Sequence, residues 1–239
     1  MLFDIKKILY PGRCPVCHEV VGVTEGMIHR QCRYELPVIT GARCCSCSRK
    51  MADPFGILCG NCRKLSPEYE ENYGVFYHND LMSQVIFEYK YVNHREYGEF
   101  FAKEIAARAG KKIRDWNPEV ILPVPSYKDR TKKRGYNQAE VLARLLSEEL
   151  GIPFSNKLLF RIRSTVAQKN LGRHERFDNL RRSFFAEEEA GRYKKVLLVD
   201  DIYTTGSTIN SCALALKKKG VSKIYSVTVS VGSDSGSIL

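Results

Sequence analysis

A chain of 239 residues, 44% of them apolar, is long enough for one full α/β domain with a proper core and a small additional module. No apolar run approaches the length of a membrane helix, and the opening Met1-Leu2-Phe3-Asp4-Ile5-Lys6-Lys7 lacks the form of a secretory signal, so no membrane insertion and a cytoplasmic location are expected. A formal net charge of +11 points to anionic partners, without separating phosphorylated metabolites from nucleic acid.

Nine cysteines would suggest disulfides in a secreted chain, but their spacing points to metal. Cys14-x-x-Cys17, His29-x-x-Cys32, Cys44-x-x-Cys47 and Cys59-x-x-Cys62 share one spacing, and the second half repeats the first at an offset of thirty residues. Gly26 and Gly56, Arg13 and Arg43, and Arg33 and Arg63 keep the same offset, so the segment is an internal duplication. Each unit has the thiolate-rich spacing of a tetrahedral zinc site, with His29 in the slot of Cys59. Sequential pairing is the simpler arrangement, and a cross-braced one stays open. Cys45 fits no slot, and Cys212 reads as a buried thiol within a helix. Residues 1–66 are therefore expected to form a module stabilised by two structural zinc ions, and residues 67–239 a second domain.

In that domain Tyr73 to Tyr77 reads as a strand, and Leu81, Met82, Val85, Ile86 and Tyr89 fall at helical spacing, ending near Lys90. Lys90 can face an anion from that helix end. Phe101, Ala102, Ile105, Ala106 and Ala109 predict a helix stopped by Gly110. Val120 to Val124 reads as a buried strand entering a loop punctuated by Pro123 and Pro125, where a cis bond is conceivable. Tyr127 to Gln138 holds five basic residues against one acid, a composition suited to a pyrophosphate, and Arg134-Gly135-Tyr136-Asn137-Gln138 has the mixture of a recognition segment. Ala139 to Leu150 predicts a helix closed by Gly151, and Leu158 to Ile162 a short strand. Eight basic residues between Lys157 and Arg182 face only Glu175 and Asp178, as in a flap over an anionic site or a single-strand nucleic-acid track. Phe184-Phe185 returns to the core, Ile224 to Val231 reads as a last strand, and residues 232–237 as a flexible tail.

The stretch from Lys195 to Thr208 carries the most chemistry. Val196 to Val199 is a short apolar run suited to a strand buried on both faces, and it is expected to stop at Asp200-Asp201. A turn of Thr204, Thr205, Gly206, Ser207 and Thr208 follows, then a helix over Ile209 to Lys219. Unpaired amides at that helix start favour an anion, Gly206 permits close backbone approach, and the hydroxyls add donors. With two carboxylates beside it to accept from a diol, the implied ligand is a ribose 5-phosphate. The Walker A and dinucleotide glycine patterns are both absent.

These residues resemble the phosphoribosyl pyrophosphate (PRPP) motif of type I phosphoribosyltransferases. Together with the paired zinc units, Pro123-Val124-Pro125, Arg134 to Gln138, and the Gln168…Arg176…Asn179…Phe184 segment, they resemble the ComF family from about Cys14 to Val231. His29 departs from that family's usual cysteine. The resemblance implies an α/β fold with a type I phosphoribosyltransferase-like parallel sheet and an N-terminal double zinc ribbon. It implies that Asp200 and Asp201 hold the ribose hydroxyls, that Thr204 to Thr208 wrap the 5-phosphate, and that magnesium arrives with PRPP. Asp200, Arg134 and Lys90 are the expected catalytic groups. Single-stranded DNA and a competence helicase are the implied partners. Two functions compete on this reading: phosphoribosyl transfer with pyrophosphate release, and a non-catalytic, nucleotide-responsive DNA-binding module on the same fold. A receiver-type reading of the paired acids does not suit the phosphate-cradling loop that follows them.

Overall fold

The computed structural model describes residues 12–22, 25–51, 53, 55–92, 94, 96–126, 135–162 and 183–232. In chain order their elements are α1 (Arg30–Glu35), α2 (Gly60–Leu65), β1 (Glu71–Tyr77), α3 (Asp80–Tyr91), α4 (Tyr97–Trp116), β2 (Val120–Pro123), α5 (Gln138–Leu150), β3 (Leu159–Arg161), β4 (Phe184–Ala186), β5 (Lys195–Tyr203), α6 (Ser207–Lys217) and β6 (Lys223–Val231). A four-stranded sheet in the order β1-β6-β5-β2 is parallel throughout, and β3 and β4 pair as a separate antiparallel ribbon. The α/β fold expected from the sequence is the one observed.

Burial follows strand alternation. Leu197 and Val199 of β5 join Phe101, Ile105, Leu142 and Leu146 on the α4–α5 face, while Val196 and Leu198 join Ile209, Cys212 and Leu216 on the α6 face. Asn79 caps α3 by accepting from the Met82 amide at 3.0 Å, which sets Met82, Val85, Ile86 and Tyr89 inward. α5 closes at Gly151, whose φ of 69° is left-handed.

Four expectations need correction. α4 does not stop at Gly110 but runs on to Trp116, because Ile113 and Trp116 continue its buried stripe and Gly110 is itself buried. β5 does not stop at Asp200: ladder pairing with β6 carries it to Tyr203, opposite Val231. Pro123 is the last residue of β2, and among the described residues no peptide bond is cis. Of the phenylalanine pair, Phe184 is core while Phe185 is 39% exposed.

The duplicated N-terminal units straddle one edge of the sheet. Between them, Pro37 to Ile39 lies antiparallel along β1: Ile39 N donates to Val75 O at 2.9 Å and Tyr77 N to Pro37 O at 2.7 Å. Val21, Ile28 and Leu36 of the first unit enter the core on the α4–α5 face, whereas Ile39 and the second unit enter the α6 face. At the other edge Ile121 bonds Pro153 and Ser155, so both sheet edges are covered.

Because the units share their cores with the sheet, the protein should melt in one calorimetric transition. Ile39→Ala, truncating a side chain only 2% exposed, should cost about 3 kcal/mol and lower that single transition. Two separate transitions would contradict the shared core.

Candidate functional site

The duplication is visible atom by atom. Cys14 N donates to Glu19 O and Cys44 N to Arg49 O, each at 2.8 Å, and the tips carry left-handed His18 (φ 63°) and Ser48 (φ 64°). Each second pair then starts a short helix, His29 preceding α1 and Cys59 preceding α2. The ligand atoms of Cys14, Cys17, His29 and Cys32 lie within 4.8 Å of one another, as do those of Cys44, Cys47, Cys59 and Cys62. The grouping is therefore sequential rather than cross-braced.

This donor chemistry fits structural zinc. Cys47 Sγ and Cys59 Sγ are 3.7 Å apart, close to the roughly 3.8 Å edge of a tetrahedron with zinc–sulfur arms of about 2.3 Å. In the first centre His29 turns Nδ1 toward Cys17 Sγ at 3.3 Å, while Nε2 meets Val20 O at 3.2 Å, the outer contact that orients a ligating imidazole. Burial, with neighbouring thiols, pushes the Cys32 thiol up to about 12, so four crowded sulfur and nitrogen donors without a cation would be costly to ionise. Metal at these centres is structural in character, because all four positions of each set are protein ligands.

The second constellation sits at the carboxyl ends of the parallel strands. β5 delivers Asp200 and Asp201 there, then turns through exposed Thr204 and Thr205 into Gly206, whose φ is 78°. A Cβ at Gly206 would lie 2.2 Å from Tyr203 Oη, so the position demands glycine for space as well as conformation. α6 begins at Ser207 with a glycine N-cap that has no side chain to cap it; the Ser207 amide meets Thr205 Oγ1 at 3.4 Å, and the amides that follow it face the helix start where an anion is favoured. The Thr205 and Ser207 hydroxyls are 2.8 Å apart beside them.

Lys90, from the last turn of α3, reaches Asp201: Nζ is 2.8 Å from Oδ2, with the two side chains 17% and 14% exposed. The sequence-predicted Lys90, Asp200, Asp201 and Thr204 to Thr208 thus gather at one edge, whereas Arg134 lies outside the described residues, as do 127–133 and 163–182. Tyr136, Asn137 and Gln138 of the expected recognition segment make internal hydrogen bonds. Tyr136 Oη donates to Tyr89 O, Gln138 Nε2 to Lys90 O at 3.3 Å, and Asn137 Nδ2 to Val124 O at 3.3 Å. They fasten the end of α3, and hence Lys90, to the sheet.

Two further groups bear on the edge. His78 follows β1 and is held on both ring nitrogens, at 3.0 Å from Ser230 Oγ and 3.0 Å from Ser83 Oγ. Burial and the Lys90 charge lower its pKa, so the ring stays neutral. Arg161, on β3, is close enough for its charge to favour ionised Asp200. A lone histidine beside asparagine and an arginine among many carry no sequence signal for such roles.

Asp200 is half-buried; burial, with the adjacent Asp201 charge, pushes its pKa up to about 8. The hydrogen bond from the Asp201 amide, Lys90 and Arg161 oppose that shift without cancelling it. From about pH 4 to about 8 the folded protein keeps a proton that the unfolded chain has released. Stability from this group therefore falls as pH rises through that window and levels off above it. Asp200→Asn should remove this slope, so its Tm relative to the unmodified protein should climb from pH 5 to pH 8. A constant difference would contradict the shift.

Residues 96–235 match the Phosphoribosyl transferase domain family, and residues 5–63 match the Double zinc ribbon domain. Competence protein F of Haemophilus influenzae is 31% identical over 210 residues, spanning 81% of this chain and 92% of that one. DNA utilization protein YhgH of Salmonella typhimurium is 25% identical over 217 residues, 90% of this chain and 94% of its own length. Competence protein ComFC of Bacillus subtilis is 27% identical over 195 residues, covering 79% and 77% of the two chains. With both domain matches and full-length similarity to these relatives, the chain belongs to the ComF family of double zinc ribbon, phosphoribosyl transferase domain proteins.

Proposed function

We propose that this protein binds PRPP, or a closely related ribose 5-phosphate, at the carboxyl edge of its sheet and transfers the phosphoribosyl group to an acceptor, releasing pyrophosphate. One observation carries the reading: two strand-end carboxylates stand beside an uncapped helix start entered through Gly206. The amides of α6 and the Thr204 to Thr208 hydroxyls take the 5-phosphate, and Asp200 and Asp201 accept from the ribose diol. Lys90, already paired with Asp201, supplies positive charge toward the departing pyrophosphate, as does Arg134 in this reading.

In the transfer the bond from C1 to the pyrophosphate oxygen breaks with its electron pair, and the acceptor forms a new bond to C1 and gives up a proton. Asp200, with its pKa pushed up to about 8, suits the handling of that proton. The Lys90 ammonium fills the place at Asp201 that a resident cation would take, so the carboxylates fit hydroxyls better than an ion of their own. Magnesium carried on the pyrophosphate would supply neutralisation of its charge.

The reading extends to DNA. The names of the relatives refer to competence and DNA utilization, and the net charge of +11 suits a polyanion. We assign single-stranded DNA as the macromolecular partner, in the cytoplasm and alongside a competence helicase. The same charge favours, as a second reading, a nucleotide-responsive DNA-binding protein without turnover.

Pyrophosphate release from Mg-PRPP, assayed with a panel of bases and with single-stranded DNA, tests both. Acceptor-dependent release that falls at least a hundredfold in Asp200→Asn/Asp201→Asn, with zinc content intact, is the expected result. PRPP binding without release would leave the non-catalytic reading, and undiminished affinity in the double mutant would overturn the site. DNA affinity should drop steeply between low and physiological salt.

A further inference from the structure

The two zinc units meet the sheet on opposite faces, and among the described residues the second is the one that reaches the phosphate loop. The first is tied to α4: Arg33 Nη1 donates to Glu104 Oε1 at 2.7 Å, and His18 Nδ1 lies 3.0 Å from Tyr97 Oη. The second sends Arg49 to the end of the sheet. Its Nε donates to Gly232 O at 3.0 Å and its Nη2 to Thr204 O, so one guanidinium bridges the residues that follow β5 and β6. At the matching position of the first unit stands Glu19; its carbonyl makes the same bond to the first cysteine, but its side chain cannot donate.

Two more ties run the same way. Tyr69 Oη and Tyr203 Oη are 2.6 Å apart and buried, and the Tyr203 ring lies directly under Gly206. Asn210, in the first turn of α6, accepts the Glu68 amide at 2.6 Å. The zinc ligand Cys62 and Leu65 share a cleft with Tyr203, Thr205 and Gly206. The second unit is itself fixed to the sheet: Ser48 Oγ donates to Asn72 O at 2.6 Å and Asn72 N to Ser46 O at 2.8 Å.

We propose that the second zinc ribbon is a structural part of the ligand site, and that Arg49, with Tyr69, is a positioning residue for the Thr204 to Thr208 loop. The inference rests on the ribose 5-phosphate reading of that loop. The loop offers backbone amides and short hydroxyls, which bind well only when their geometry is set beforehand, since ordering each residue on binding would cost roughly 1–2 kcal/mol. Arg suits the task because a planar fork can hold two carbonyls at once. The duplicated units thus have different duties, the first bracing α4 and the second shaping the site.

The test uses the zinc-loaded full chain. Arg49→Met and Tyr69→Phe are compared with Arg33→Met, which cuts the tie of the first unit. Two quantities are read: hydrogen–deuterium exchange of the 204–210 amides without ligand, and the Kd for Mg-PRPP by calorimetry. Arg49→Met should speed exchange of those amides and weaken PRPP binding about tenfold, at unchanged zinc content, with partial rescue in Arg49→Lys. Tyr69→Phe should act in the same direction more weakly, and it decides the matter if Arg49→Met does not fold. Arg33→Met should lower the Tm but leave both quantities unchanged, which a merely stabilising role for Arg49 would not distinguish. Wild-type exchange and affinity in both second-unit variants would overturn the proposal. If the unmodified protein binds no PRPP, the ligand reading fails, and loop exchange alone decides the positioning role.

Discussion

A parallel sheet is stable only when both faces and both edges are covered, and most of this architecture answers that demand. β5 is apolar on both sides up to Val199, and β6 is buried on both sides as well, with Ser226 and Thr228 satisfied by Asn72 and Ser230 by His78. α4 and α5 cover one face, and among the described residues of this domain α6 and the short β3–β4 ribbon cover the other. The duplicated N-terminal segment supplies what is missing. Its linker closes the β1 edge by backbone hydrogen bonds, and its halves fold over opposite faces. The zinc units are thus parts of the shell of the sheet, and their few aliphatic residues suffice because they complete cores begun by other elements.

The same demand concentrates polarity at the carboxyl edge. Strands buried on both faces place their charged groups near their ends, and β5 carries two adjacent acids close to its carboxyl end. Burial, with the adjacent Asp201 charge, raises Asp200 while Lys90 pairs with Asp201, so the two acids carry less negative charge than their composition implies. In the proposed reading this lets a phosphorylated sugar approach the carboxylates, which two fully ionised acids would oppose. His78, kept neutral, adds hydrogen bonding to the edge without another cation.

Duplication followed by divergence explains why two units with one backbone plan act differently. The hydrogen bonds around each first cysteine, the left-handed tip residues and the helix after each second pair repeat between halves. What differs is the neighbour: the first half meets the long α4, the second the loop before α6. Arg49 in place of Glu19 is a side-chain change that matters only because of that neighbour.

Signals contained within a few residues were legible from the amino-acid order alone. Metal-ligand spacing, the thirty-residue repeat and the apolar run into Asp200-Asp201 each depend on local geometry and appeared where expected, whereas α6 takes in Ser207 and Thr208 of the hydroxyl-rich turn and ends at Lys217 rather than Lys219. Helix periodicity located α3 and α5, but not the far end of α4, where a glycine signal yielded to packing of Ile113 and Trp116. Tertiary structure decided everything that joins distant segments: the pairing of Lys90 with Asp201, the use of Tyr136, Asn137 and Gln138 as internal fasteners, and the reach of Arg49 to Thr204 and Gly232. The raised pKa of Asp200 belongs to the same class. Spacing along a chain specifies which groups can share one turn or one metal, whereas charge pairing and burial depend on which surfaces the fold brings together.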